Sequence, residues 1–397
     1  MTPLPEAWLR RARSTLCGLT LCGLISLFIS VSLGQSAERV SVSVQTEDAP
    51  GTAEDAAEEA VADEVDATER LLNVPDDALP LAAALAAAER RTDVVNARLN
   101  AADAESALTR AKADPLGLRL ERTQAEQRLA LSAAQLRQAR YQALADIAAG
   151  YTGLLEAQAQ FALAEAGRDV SAQTVDITRI RLNNGSATAL DVQDAENDLQ
   201  TAETNLSTAE QGLALARTSL ESLIGQEVSA AAPLGDELLT DLPGLDEVLG
   251  TLETHPSLLQ ATQGAEIAAI SADILDPSYA SRAQIDAAAL QREQAEEAAK
   301  EAGRGLRLRA RSLYNAADSA ARSYRATLDT LASAQEREAL QAQRLEAGLI
   351  ADISFRQTQL GTYQAALSTL SAKNAYLNAL LELQAGTVSP LEGLHEF

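Results

Sequence analysis

Apolar residues recur along this chain at helical spacing. After Gly185, Val192, Ala195, Leu199, Ala202, Leu206, Ala209, Leu213, Ala216, Leu220 and Leu223 follow one another in steps of three and four. This is an unbroken heptad seam of alternating Ala and Leu, the pattern by which helices zip side by side. Leu360, Tyr363, Leu367, Leu370, Asn374, Leu377 and Leu381 form a second seam. Its one polar member, Asn374, is of the kind that fixes register. Upstream, Ile147, Leu154, Phe161, Val175 and Leu182 keep a seven-residue beat that only Arg168 breaks. Gly150, Ala157, Ala164 and Ser171 keep the same beat three positions on. Bulky groups on one helix can therefore sit against small ones on the next, which brings backbones close.

The punctuation predicts where the helices stop. A first helix is expected over 80–113, ended by Asp114-Pro115-Leu116-Gly117, since proline lacks an amide hydrogen and glycine permits a turn. A very long helix follows over 118–182, ~95 Å at ~1.5 Å per residue. Asn183-Asn184-Gly185 stops it, and a return helix over 187–224 ends at Gly225. A connector then holds Pro233, Gly235, Pro243 and Gly244. The order repeats: a helix over 248–275 ended by Asp276-Pro277, a long one over 281–346, Gly348, and a last one over 353–385. Tyr151, Arg181, Leu182 and Gly185 correspond to Tyr314, Arg344, Leu345 and Gly348 at one constant offset, which indicates an internal duplication. The expected fold is all-α, two tandem repeats of a long antiparallel coiled-coil hairpin. The repeats span 76–226 and 248–386, with a connector over 227–247 and a tail over 387–397.

Composition narrows the functions open to such a fold. Aromatic residues are 3% of the chain, too few for ordinary globular cores but suited to Ala-lined helix packing. A formal net charge of −25 excludes nucleic acid as a partner, because neutralising phosphates takes Lys and Arg. The N-terminus opens with a basic stretch: Arg10, Arg11 and Arg13 precede an uncharged run from Thr15 to Gly34, and Gly34-Gln35-Ser36-Ala37 offers small residues for cleavage. Residues 1–37 read as an export signal, although the run is also long enough to stay as an anchor. The only two cysteines, Cys17 and Cys22, lie inside it, and neither follows the small residue a lipoprotein signal needs. Residues 38–75 are acidic and poor in large apolar groups, and read as a disordered linker.

Candidate chemistry is sparse. His255 and His395 are the only histidines, one before a proline and one in the tail. No metal site, cofactor or catalytic constellation emerges from such a set, and an enzyme is not expected. Gly303 and Gly305 flank Arg304 within a helical stretch and suggest a kink or a tight contact.

The segment from Arg181 to Gln193, Arg-Leu-Asn-Asn-Gly-Ser-Ala-Thr-Ala-Leu-Asp-Val-Gln, resembles the helix-turn-helix tip of TolC-type outer membrane efflux proteins. The closing Leu223-Ile224-Gly225, the Ala-rich Leu81 to Leu99 stretch and His255-Pro256 are similar to that family too. The resemblance implies a homotrimer of the cell envelope, at the outer membrane and periplasm, whose hairpins close into a helical tunnel across the periplasm. It implies a passive conduit that meets a periplasmic adaptor protein and an inner-membrane pump through its tips. Arg181, Gly185, Asp191, Val192, Arg344 and Gly348 are then the docking residues. Asp191, Asp194 and Asp352 would ring the entrance, or Asp191 would simply favour a helix N-terminus. Arg181 and Arg344 either complement helix dipoles or close a gate by pairing with Asp191 or Asp352.

Two departures stand out. The family inserts barrel strands after the short helices, whereas here helix resumes almost at once after Pro115 and Pro277. The aspartate pair of its second tip falls at Ser354 and Gln357. Little or no β-barrel is expected, and the alternative reading is a non-conducting coiled-coil structural protein of the envelope.

Overall fold

The computed structural model describes residues 70–72, 75, 77–114, 119–235, 239 and 242–390. The chain divides into two units, Met1–Pro50 and Gly51–Phe397, and every described residue belongs to the second. The expected export signal, most of the acidic linker and most of the tail lie outside the described residues.

From Leu81 onward the described residues form the α-helices α1 Leu81–Leu85, α2 Thr92–Ala113, α3 Arg119–Asn183, α4 Ala189–Ile224, α5 Leu245–Thr251, α6 Pro256–Asp273, α7 Arg282–Glu346 and α8 Asp352–Thr387. Two 3-10 turns, Ala86–Arg90 and Leu252–Thr254, follow α1 and α5. Helices α3 and α7 are both 65 residues long, and α4 and α8 are both 36. The offset that takes Arg181 to Arg344 also takes Arg119 to Arg282 and Ala189 to Asp352. The duplication therefore holds to the residue across both hairpins. Each long helix extends about 100 Å, and α4 lies along α3 as α8 lies along α7.

The seams face inward as their period requires. On α4 the seam from Val192 to Leu223 is buried or half-buried throughout, while Leu190 and Leu215 off that line are exposed. Small meets large where α3 approaches α4. A Cβ built on Gly150 would come within 2.7 Å of Leu223 Cδ1, so the two backbones are as near as leucine allows. Burial of this continuous stripe is what holds helices this thinly apolar, since isolated helices gain little from propensity alone.

The two halves are joined as well. Helix α3 packs on α8 and on α6 in addition to α4. Asn374 on α8 is fully buried, and its Nδ2 donates to Glu156 Oε1 on α3 at 3.0 Å and to the Thr152 carbonyl at 3.3 Å. The polar seam residue therefore locks one repeat to the other.

Local structure departs from the expected helices in two places. The helix expected over 80–113 is broken at Arg91, which is extended (φ −64°, ψ 140°). There the guanidinium reaches Asp146 on α3 at 3.2 Å, and the chain turns around that anchor. The helix expected over 248–275 is broken at His255, because a residue before proline is pushed out of the helical region.

Among the described residues there is no β-strand. One isolated parallel bridge joins Leu79 to Ala231. The Tyr151 hydroxyl seals it, 2.8 Å from the Leu79 carbonyl and 2.6 Å from the Ala232 carbonyl. Its repeat counterpart Tyr314 is only half-buried. Between α6 and α7 lies a short turn, in which the Ser278 amide donates to Asp276 Oδ1 at 2.7 Å and Ser281 caps α7. No described helix is long and apolar enough to cross a membrane.

Candidate functional site

The two hairpin tips are built by the same backbone device. At the first, Ser186 N–H donates to the Arg181 carbonyl at 2.8 Å and Gly185 N–H to Leu182 at 2.9 Å. At the second, Leu349 N–H donates to Arg344 and Gly348 N–H to Leu345, both at 2.9 Å. Each pair is a Schellman cap, which satisfies the last carbonyls of a helix and needs a left-handed residue. Gly185 (φ 73°) and Gly348 (φ 69°) supply it. The recurring Arg-Leu therefore places both arginine carbonyls in the cap, while the side chains project at an exposed helix C-terminus.

The return helices start differently. Thr188 caps α4 in a reciprocal box: its hydroxyl accepts from Asp191 N–H at 3.2 Å, and its own N–H donates to Asp191 Oδ2 at 2.7 Å. These bonds, from the Thr188 backbone and then its hydroxyl, hold the Asp191 carboxyl below the usual carboxylate range. Helix α8 starts at Ala351 without a side-chain cap. Asp352 is instead tied across the repeat joint, accepting from Gln173 Nε2 on α3 at 2.9 Å, and pairs with Arg356 at 2.7 Å. The Gln173 amide, then Arg356, holds this carboxyl down as well. Val192 is half-buried as the first seam residue, and Asp194 is exposed.

Within the chain, neither Arg181 nor Arg344 pairs with Asp191 or Asp352 among the described residues. Neither arginine makes an ion pair among the described residues, because both carboxylates are committed elsewhere. Of the six residues expected to dock, Gly185 and Gly348 shape the turns, Asp191 and Val192 start α4, and the two arginines are exposed beside the turns. Sequence reasoning missed Leu190 and Leu349, which stand 68% and 74% exposed beside the two turns. Their signal was an apolar residue off the seam next to a glycine stop. It also missed Thr188, whose place three residues before Asp191 is a capping-box spacing.

His255 is buried at the start of α6, where its Nδ1 accepts from Ser257 N–H at 3.2 Å and lies 2.7 Å from Ser257 Oγ. Burial, and then the Arg309 cation, pushes the imidazole below its ordinary value. It is a cap. No group of three metal-binding side chains occurs among the described residues. Helix α7 runs unbroken through Gly303 and Gly305, and a Cβ on Gly303 would lie 3.7 Å from Leu258 on α6, a close approach of the two helices.

Comparison with known proteins agrees with this architecture. Residues 114–226 match the family described as "Outer membrane efflux protein". The fold is similar to that of CusC (15% identity, 77% of this chain and 95% of that one, TM-score 0.58). It is also similar to the outer membrane protein VceC of Vibrio cholerae (13% identity, 79% and 97%, TM-score 0.55). The MtrE outer membrane channel of Neisseria gonorrhoeae is a third relative in fold (16% identity, 77% and 88%, TM-score 0.54). No curated protein matches the sequence. Among the described residues the chain is all-helical and shares the long-hairpin fold of these outer membrane proteins.

Proposed function

We propose that the chain is one subunit of an outer membrane efflux channel, a passive conduit of three copies that works with a periplasmic adaptor and an inner-membrane pump. The observation that carries this reading is the pair of equal hairpins, each closed by the same Schellman cap and held side by side by the joint of α3 with α8. Two such hairpins are two staves of a wall. Their tips share one end, because α3 and α7 have equal length and both tips follow directly from them.

In this reading, Arg181, Gly185, Asp191, Val192, Arg344 and Gly348 form the adaptor-docking tips, with Leu190 and Leu349 as apolar anchors. Asp191, Asp194 and Asp352, repeated around a threefold axis, ring the entrance and favour cations. An export signal over residues 1–37 delivers the chain to the envelope. Capture tests the tips. The tagged chain, cross-linked in cells, is expected to bring down a periplasmic adaptor, and Gly185→Pro to reduce that capture at least tenfold. Normal drug sensitivity on deletion, with an unchanged partner profile, would sink the reading.

A second reading is a non-conducting coiled-coil protein of the envelope. It is favoured by one observation: α6 passes to α7 through the turn at Asp276–Ser281, where the resemblance leads one to expect inserted barrel strands. Backbone crossing lipid must pair its polar groups internally. Conductance of the purified protein in a planar bilayer separates the two readings.

A further inference from the structure

The seam of α7 carries a charge. Ala310, Ala317, Tyr324, Leu331 and Glu338 follow one another every seven residues on this helix, and all five are buried. The counterpart of Glu338 in the first repeat is Val175, also buried but apolar. A carboxylate in a seam is costly unless a cation or donor reaches it. Arg70 does so: its Nη1 lies 3.9 Å from Glu338 Oε1. Leu71 and Leu72 beside it are buried in the same core as Leu331.

The other end of this N-terminal arm is fixed in the first repeat. Leu79 N–H donates to the Ala230 carbonyl at 2.8 Å, and the Leu79 carbonyl accepts from Ala232 N–H at 3.0 Å and from the Tyr151 hydroxyl. Hydrogen bonds along α8 give the span between the two ends. Asn378 on α8 donates to Thr152 on α3, and Thr369 and Thr362 donate to the carbonyls of Thr327 and Ala334 on α7. Because α8 runs antiparallel to both neighbours, Thr152 stands level with about Asp318 of α7. Glu338 is about 20 residues nearer the tip, ~30 Å along the helix at ~1.5 Å per residue. Nine residues carry the chain from Arg70 to Leu79, and a fully extended chain covers ~3.3 Å per residue, again ~30 Å. The arm is therefore nearly taut. By their packing the four long helices lie in the order α4, α3, α8, α7. The arm thus ties the first hairpin to the far helix of the second, about two turns short of its end at Glu346.

We propose that this arm, anchored at Leu79 and at Arg70–Leu72, is a diagonal brace that holds the two tips at one spacing. A taut tie across rods lying side by side limits how far the last rod can tilt or slide. The charge sets where the tie ends, since a buried carboxylate selects a cation as a leucine would not. The duplication shows what the charge replaces: with Val175 in its place, the first seam is closed by apolar packing alone. The brace is a property of the single chain. Its consequence, that it sets the resting width of the entrance, rests on the proposed channel reading.

Tip spacing tests it. Spin labels at Leu190→Cys and Leu349→Cys, both exposed positions, report the distance between the tips by double electron–electron resonance. The full-length chain is made otherwise cysteine-free by Cys17→Ser and Cys22→Ser, and labelled chains are diluted in unlabelled ones so that only pairs within a chain are read. The natural arm is expected to give one narrow distance. Arg70→Glu, at an exposed position, is expected to about double the width of the distribution, and Arg70→Glu with Glu338→Arg to restore it. Gly-Ser-Gly-Ser inserted after Pro75 keeps both anchors but adds ~13 Å of slack, and is expected to widen the distribution as Arg70→Glu does. Helical circular dichroism is expected to stay unchanged in each. A native width in both Arg70→Glu and the insertion overturns the brace. Widening with Arg70→Glu alone overturns it too, because the pair is then a local contact under no tension. Tips that loosen as expected in a protein without conductance in a planar bilayer uphold the brace and remove the channel reading.

Discussion

The side chain of Asn374 on α8 donates to the carboxylate of Glu156 on α3 at 3.0 Å, across the boundary between the two repeats. Asn374 is fully buried, and its Oδ1 has no partner among the described residues. A buried amide that is only partly satisfied adds little stability. What it supplies is selection: only one axial register brings Glu156 and the Thr152 carbonyl to the same amide. Asn374→Leu leaves a half-buried carboxylate without its donor and is expected to cost ~1–3 kcal/mol. The double variant Asn374→Leu/Glu156→Leu removes both ends and is expected to recover most of that. Urea unfolding of the three proteins checks it, and additive losses would refute the coupling.

The duplication allows a matched comparison at the tyrosines. Tyr151 is buried with its hydroxyl between two carbonyls, whereas Tyr314 is half-buried. Tyr151→Phe leaves the Ala232 carbonyl without the hydroxyl, while the Leu79 carbonyl keeps the Ala232 N–H at 3.0 Å; it is expected to cost ~1–3 kcal/mol, and Tyr314→Phe to stay within ~0.5 kcal/mol. Burial raises the Tyr151 hydroxyl far above an ordinary phenol. The folded state therefore favours the neutral form, and stability is lost as pH rises past the unfolded tyrosine value of about 10. Denaturation midpoints at pH 9 and 11 should converge for wild type and Tyr151→Phe.

At the tips, strain rather than space decides. Neither Gly185 nor Gly348 has any atom within 4 Å of a built Cβ, yet both have positive φ. Alanine at either site is expected to cost ~1 kcal/mol from the left-handed backbone alone. Gly150 is the converse, a helical glycine under Leu223. Gly150→Ala is expected to be near neutral, as helix propensity gained offsets the shift of one flexible leucine tip. Gly150→Leu overpacks the seam and is expected to cost ~1–3 kcal/mol. Equal effects for the two Gly150 substitutions would mean that the α3–α4 approach is looser than described.

Much of this architecture was written in the period of the sequence. The α4 seam could be read residue by residue because one face is buried along the whole helix, and the glycine stops could be read because glycine takes a left-handed cap at least cost. The partner of Asn374 could not. Helix α8 is covered on two sides, and a seam position does not say which neighbour it meets. The break at Arg91 was also hidden, since it depends on Asp146, a residue of another helix. The tips were located by Gly185 and Gly348, but the commitments of Asp191 and Asp352 follow from Thr188 and from Gln173, the latter distant in sequence.

His255 gives the second repeat a dependence on pH. As a helix cap its Nδ1 must accept from Ser257 N–H, which only the neutral ring can do. Burial and the facing Arg309 both disfavour the charged ring, so the folded value lies below the unfolded one of about 6.5. A group of this kind contributes its full stability above the unfolded value and loses it as pH falls toward the folded one. The wild-type urea midpoint is therefore expected to drop between pH 7 and pH 5. Asparagine caps helices without titrating, so His255→Asn is expected to hold the pH 7 midpoint and flatten the change. His255→Ala lacks both properties and is expected to cost ~1 kcal/mol at pH 7. A slope in His255→Asn as steep as in wild type would assign the dependence to other groups and leave His255 as a cap without a pH role.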